Sequence, residues 1–183
     1  NVTASNNTVT LNGGKVNEAI YGGYAESKAT TPGTVAANDN TVNLVAGALG
    51  TGVTLYGGYA KTKDGEQSTS GNTLQVRGAF AVKEVKNFQN YLFVVPQSAI
   101  SSDGSAAPML SVTEAVDMTG ASVVLAVGGD VTTVKKNDIA TLIDKVKTAT
   151  LPEFSSQELV FNTFGEAFKF SISSFVLSTK ERA

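Results

Sequence analysis

Four tyrosines, Tyr21, Tyr24, Tyr56 and Tyr59, stand in two copies of one motif, Ile20-Tyr21-Gly22-Gly23-Tyr24-Ala25 and Leu55-Tyr56-Gly57-Gly58-Tyr59-Ala60. Aromatic rings repeated in register stack on one another, and they can also take the flat face of a sugar or a partner strand. These four are therefore the candidate binding residues, although an aromatic stripe is more often packing than a ligand site. The glycine pair invites comparison with a phosphate cradle, where backbone amides approach an anion past glycine. Phosphate loops continue into Lys, then Ser or Thr, then a helix. Here Tyr24-Ala25 and Tyr59-Ala60 follow instead. The glycines are expected to permit a tight corner, with Tyr21 over Tyr56 and Tyr24 over Tyr59.

Catalytic groups are scarce. The chain has no His and no Cys, which removes thiol nucleophiles, Ser-His-Asp triads and His- or Cys-ligated metals together. A carboxylate pair remains conceivable for acid–base cleavage of a polysaccharide. Yet Asp39, Asp64 and Glu66 have turn-forming neighbours, and Glu18 and Glu26 lack partners at any repeat spacing. A further reading makes Ala99 to Val146 a separate small β-domain with Asp130, Asp138 and Asp144 as Ca²⁺ ligands. Calcium prefers oxygens from one compact loop, and these three are widely spread along the chain. No catalytic residue, metal or cofactor is expected.

Composition narrows the partners. Net charge is −2 and charged residues make up 16% of the chain, so no basic footprint exists for nucleic acid. No run approaches the ~18 consecutive apolar residues that span a bilayer as a helix. The start at Asn1 shows no signal-peptide pattern and reads as a segment of something longer. Hydrophobic residues at 42% suffice for an ordered core, and the wealth of Gly, Ser, Thr, Asn and Val is that of strands and turns.

The elements that must position the tyrosines repeat as well. Asn7-Thr8-Val9-Thr10-Leu11, Asn40-Thr41-Val42-Asn43-Leu44 and Asn72-Thr73-Leu74-Gln75-Val76 follow one another at spacings of 33 and then 32 residues. Within each, apolar residues alternate with polar ones, the period of a half-buried strand. A short strand and its turn cannot bury an apolar face alone, so successive copies are expected to stack into a solenoid. Val9, Val42 and Leu74 then form one column, and Leu11, Leu44 and Val76 the next. Asn7, Asn40 and Asn72 align too, either as a hydrogen-bonded amide ladder or as turn residues that open each strand. In the third copy Val85 matches Ile20, but Lys86-Asn87-Phe88 replaces Tyr-Gly-Gly, and the repeat is read as stopping there.

The Asn-Thr-Val repeats with Tyr-Gly-Gly-Tyr, then Val85-Lys86-Asn87-Phe88 and Tyr91-Leu92-Phe93 before Pro96, resemble passenger segments of large bacterial autotransporter adhesins. Met109-Leu110-Ser111-Val112, Asp117-Met118-Thr119-Gly120 and Val123-Val124-Leu125-Ala126-Val127 keep that family's order. Lys136-Asn137-Asp138-Ile139 follows, with Asn137 where Gly is commoner. The resemblance implies an all-β, right-handed parallel β-helix carried to the cell surface. It implies a C-terminal cap or autochaperone-like segment, and an outer-membrane barrel downstream in the parent chain.

The division expected is solenoid repeats over residues 1–96 and further coils with a cap over 97–183. In the cap, the alternating run Glu166 to Ser173 extended by Phe175-Val176-Leu177 is read as one long strand, with Phe168, Phe170 and Ile172 covering the last rung. The expected function is a non-catalytic stalk or adhesin, with loops 26–39 and 61–71 raised on a rigid frame toward a host-surface or cell–cell ligand. The alternative is a β-helix glycoside hydrolase or lyase.

Overall fold

The computed structural model describes residues 1–31, 33–135 and 137–147 in full and, beyond these, the backbone of four strands between Glu153 and Glu181. The first coil holds β1 (Val2–Thr3), β2 (Thr8–Val16) and β3 (Ala19–Glu26). The second holds β4 (Val35–Ala36), β5 (Thr41–Leu49) and β6 (Thr54–Thr62), with β7 (Gly65–Gln67) folded back on β6. A short third coil carries β8 (Thr73–Val76), β9 (Phe80–Val82) and β10 (Glu84–Lys86). Then come β11 (Asn90–Val95), β12 (Leu110–Val112) and β13 (Val116–Asp117), followed by β14 (Ser122–Val127), β15 (Ile139–Thr141) and β16 (Val146–Lys147). β17 (Glu153–Ser156), β18 (Leu159–Phe161), β19 (Glu166–Ser173) and β20 (Val176–Glu181) complete the order. Helix is confined, among the described residues, to one turn of 3₁₀ at Gln97–Ala99.

The chain is a parallel β-solenoid. Its main face is a six-stranded sheet in the order β17-β14-β11-β8-β5-β2, and a second face stacks β3, β6 and β10. All five pairings along the main face are parallel, and across β2, β5 and β8 the predicted alternation is held in register from Thr8 to Leu11, with an irregularity beyond Leu11. One core column therefore runs Val9, Val42, Leu74, Tyr91, Val123, and the next runs Leu11, Leu44, Val76, Phe93, Leu125. From the second rung onward these side chains are at most 3% exposed. A single hydrophobic core reaches from Ile20 to Ile143. A smaller cluster of Ala25, Val35, Ala37 and Ala60, with Ala4 against it, fills the lobe behind β3 and β6.

The repeat does not stop at the third copy. Val85 pairs with Leu55 as Ile20 does, and Asn90 lies beside Thr73, so the sheet continues without a break. What changes is the length of the coil: Asn72 is bonded by Gln89, 17 residues on, where the earlier rungs are 33 and 32 residues apart. The lateral excursion that β4 makes is omitted, and Phe88 turns inward, 6% exposed, against Tyr91. An inward aromatic at this point ends the alanine-lined lobe and lets the chain return at once to the main face. Residues 99–146 are not a separate β-domain beside the solenoid, because β12 stacks on β9 and β14 on β11.

Beyond β17 the pairing changes from parallel to antiparallel, in the order β15-β20-β19-β18. The expected single long strand is two: β19 and β20 run antiparallel, Ser173 beside Val176. Two antiparallel strands satisfy each other's backbone amides, where one long edge strand would leave a row of them unpaired. The directions taken by the side chains of Phe168, Phe170 and Ile172 lie outside the described residues.

Tyr91 offers a pH handle on this core. Burial first, and then the Asp117 carboxylate, push its phenol well above the ordinary tyrosine range. A raised folded-state value means that the unfolded chain gives up the proton first. Stability is therefore intact below about pH 10 and falls as pH rises beyond it. Melts across the alkaline range are expected to show this loss, and Tyr91→Phe should flatten it; an unchanged slope in the variant would remove Tyr91 as the cause.

Candidate functional site: the tyrosine ladder and its amide spine

β3 and β6 carry the tyrosines outward and the intervening glycines inward. Tyr21 stacks on Tyr56 with ring centroids 4.8 Å apart and planes 7° from parallel, and Tyr24 stacks on Tyr59 at 5.2 Å and 19°. Within a coil the rings meet edge to face, Tyr21 with Tyr24 at 5.3 Å and Tyr56 with Tyr59 at 5.5 Å. The stacking distance matches the ~4.8 Å separation of hydrogen-bonded strands, so each ring repeats at the spacing of the rungs. Each ring is thus stacked on its partner in the adjacent rung and meets the other tyrosine of its own coil edge to face. Tyr21 and Tyr24, on the first rung, are 36% and 49% exposed; Tyr56 and Tyr59 are half-buried.

Charges around the ladder are paired off. The Tyr24 hydroxyl donates to Glu26 Oε2 at 2.8 Å, and this bond is the main reason its phenol holds its proton to higher pH. Burial raises Tyr56, opposed by the positive charge of Lys86. Lys86 lies beside Tyr56 in the next rung and bonds Glu84 at 2.9 Å, which strengthens its hold on its proton. The ladder is therefore an aromatic strip rimmed by locally balanced charges.

The glycines do not turn a corner. Gly22, Gly23, Gly57 and Gly58 lie within β3 and β6, and none has positive φ. They are required by close approach. A Cβ on Gly22 would strike the Gly57 carbonyl oxygen, and one on Gly58 would strike the Ala37 carbonyl oxygen. The same added carbons would crowd the side chains of Asn40, from Gly22 and Gly23, and of Asn72, from Gly57 and Gly58.

Those asparagines form the amide ladder. Asn40 Oδ1 accepts from both the backbone N–H of Asn7, at 3.0 Å, and Asn7 Nδ2, at 2.9 Å. One rung on, Asn72 Oδ1 accepts from Asn40 N–H at 2.9 Å and Asn40 Nδ2 at 3.2 Å. Asn40 and Asn72 are wholly buried, so these bonds replace water at groups that would otherwise be stranded. The spine ends on Gln89, whose Oε1 accepts from Asn72 N–H at 3.0 Å. Gln89 was not legible in advance, since its place follows only from the shortened coil. Nor was the residue before each rung: Asn6, Asp39 and Gly71 are all left-handed, at φ 61°, 56° and 69°, which admits Asn, Asp and Gly readily. Asn137 is left-handed as well, at φ 69°, in keeping with a position where Gly is commoner.

The carboxylates do not converge. Asp64 pairs with its neighbour Lys63, and Glu66 lies opposite Lys61 in the β6–β7 hairpin. Asp130 accepts from Gln97 N–H, Asp138 from Lys135 N–H, and Asp144 from Ser111 Oγ at 2.6 Å and Val112 N–H at 2.9 Å. The three proposed calcium ligands thus serve three separate backbone turns, and among the described residues no cluster of three metal-ligating side chains occurs. A shallow groove of about 220 Å³ lies over β9 and β12, lined by Thr51, Ala81, Ser111, Thr113 and Lys145 among others. Its Ser111 hydroxyl donates to a carboxylate, with no imidazole in the chain to take its proton.

No protein-family model, curated protein or solved structure matches the chain.

Proposed function

We propose that this chain is a non-catalytic passenger segment of a secreted bacterial cell-surface protein, a structural stalk or adhesin. The supporting observation is the dry column of side chains running through four successive rungs of the main sheet, with a bonded amide spine beside it. Such a frame is rigid along its axis and carries its sequence variation on lateral loops, the division of labour of a display scaffold. The resemblance in motif order to autotransporter passengers supplies the location: export through the periplasm, exposure at the cell surface, and an outer-membrane barrel downstream in the parent chain. The segment from Glu153 onward acts as the cap in this reading, and a host-surface or cell–cell ligand meets the loops or the tyrosine ladder.

The experiment displays the chain on bacterial cells between a secretion signal and an outer-membrane barrel. Intact cells should expose a protease-resistant fragment, and should bind host cells or one another more than cells carrying the barrel alone. The same cells and the purified chain are offered a panel of acidic and neutral polysaccharides. Release of reducing ends or unsaturated uronates would replace this proposal with the glycoside hydrolase or lyase reading.

A further inference from the structure

The first rung has the chemistry of an interior rung with one side uncovered. Val9 and Leu11 are only half-buried, where Val42 and Leu44 beneath them are 1% and 0% exposed. Tyr21 and Tyr24 are each stacked on the rung below and remain 36% and 49% exposed. Asn7 donates through both its nitrogens to Asn40 Oδ1, while among the described residues its own Oδ1 receives no donor. Because the Asn7 carbonyl accepts from Thr41 N–H, the alternation of a parallel ladder turns the backbone amides of Thr8 and Thr10 outward. β2 and β3 are long for edge strands, with one charged residue apiece, Lys15 and Glu26. Protected edges ordinarily carry charge, Pro or a covering segment.

We infer that this surface accepts one further coil of the same repeat, laid parallel on β2 and β3 and entering Asn1 from its N-terminal side. The rung-to-rung contacts already inside the molecule specify that occupant. An Asn stacked above Asn7 would donate its N–H and Nδ2 to Asn7 Oδ1, as Asn7 does to Asn40. A Val and a Leu would close over Val9 and Leu11, and a Tyr-Gly-Gly-Tyr strand would cover Tyr21 and Tyr24. A second copy of the chain fits badly. Head to head it would run β2 antiparallel to its mate, so that Asn7 met the far end of that strand and its Oδ1 was not capped by the equivalent Asn. Head to tail it would bring β17, the far edge of the main face, to β2, but no Tyr-Gly-Gly-Tyr strand to β3, since the second face ends on β10.

A duplicate of residues 1–33 fused ahead of Asn1 restores the 33-residue spacing found between Asn7 and Asn40. The fusion should melt on the order of 5 °C higher than the original chain, with exchange of the Thr8 and Thr10 amides slowed on the order of 100-fold. A control fusion, whose added coil has Asp at the positions equivalent to Val9 and Leu11, should give neither effect. An unchanged melting temperature with Thr8 and Thr10 still exchanging freely would overturn the inference. So would protection of those amides in the original chain on raising its concentration, together with a doubled mass, since the occupant would then be a second copy.

Discussion

Leu44→Asp is expected to unfold at least the N-terminal half of the chain, and Val42→Asp to do nearly the same, while Thr41→Asp leaves the melting curve close to that of the original. Leu44 is fully buried between Leu11 and Val76 in the middle of a column. Replacing it removes an aliphatic side chain, which alone costs about 2–5 kcal/mol. It also strands a carboxylate, or forces it to take up a proton, in a space with no polar partner, which adds a few kcal/mol more. The sum is on the order of the whole ~5–15 kcal/mol stability of a domain. Thr41 stands in the same strand with its side chain on the outer face, beside Thr8 and Thr73. Its substitution is expected to cost less than about 1 kcal/mol. Thermal melts followed by circular dichroism distinguish these outcomes, and equal loss in all three variants would mean that the alternation does not separate core from surface.

The columns were legible in the sequence because a period of two needs only three aligned copies to declare which side chains point inward. The solenoid followed from the same spacing. The third coil departs from the sequence expectation for a physical reason: the repeat motif encodes contacts to the neighbouring rung, not the length of the excursion between rungs. When Lys86-Asn87-Phe88 replaced the glycine motif, the sequence announced the end of the tyrosine ladder and of the alanine lobe, while Tyr91 and Phe93 quietly continued the main columns. The sequence points to a corner at these glycines because glycine in isolation most often serves backbone conformation. Their reason here is steric and distant: they clear the space that Asn40 and Asn72 occupy. The two repeated motifs recur together because they touch.

That contact sets the second large effect. Asn72→Ala is expected to lower stability by about 3–4 kcal/mol, because it removes the acceptor of two donors on a wholly buried residue, Asn40 N–H and Asn40 Nδ2, each stranded at about 1–3 kcal/mol before relaxation. Asn40→Ala should cost somewhat less, since the donors it strands belong to Asn7 on the part-buried first rung, where water reaches them. Gln89→Ala, which takes one acceptor from the end of the spine, should cost about 1 kcal/mol. The discriminating measurement is the double variant Asn40→Ala with Asn72→Ala. Once Asn40 is alanine its Nδ2 no longer needs an acceptor, so the second substitution should cost at least about 1 kcal/mol less than it does alone. Denaturant titrations of the four variants give that coupling directly. Strict additivity, or single losses below about 1 kcal/mol, would return these asparagines to the status of turn residues that happen to align. A graded, coupled loss would make the spine a single cooperative unit, and would explain why Asn-Thr-Val/Leu and Tyr-Gly-Gly-Tyr occur in the same coils: the buried amide is stable only where glycine leaves room for it.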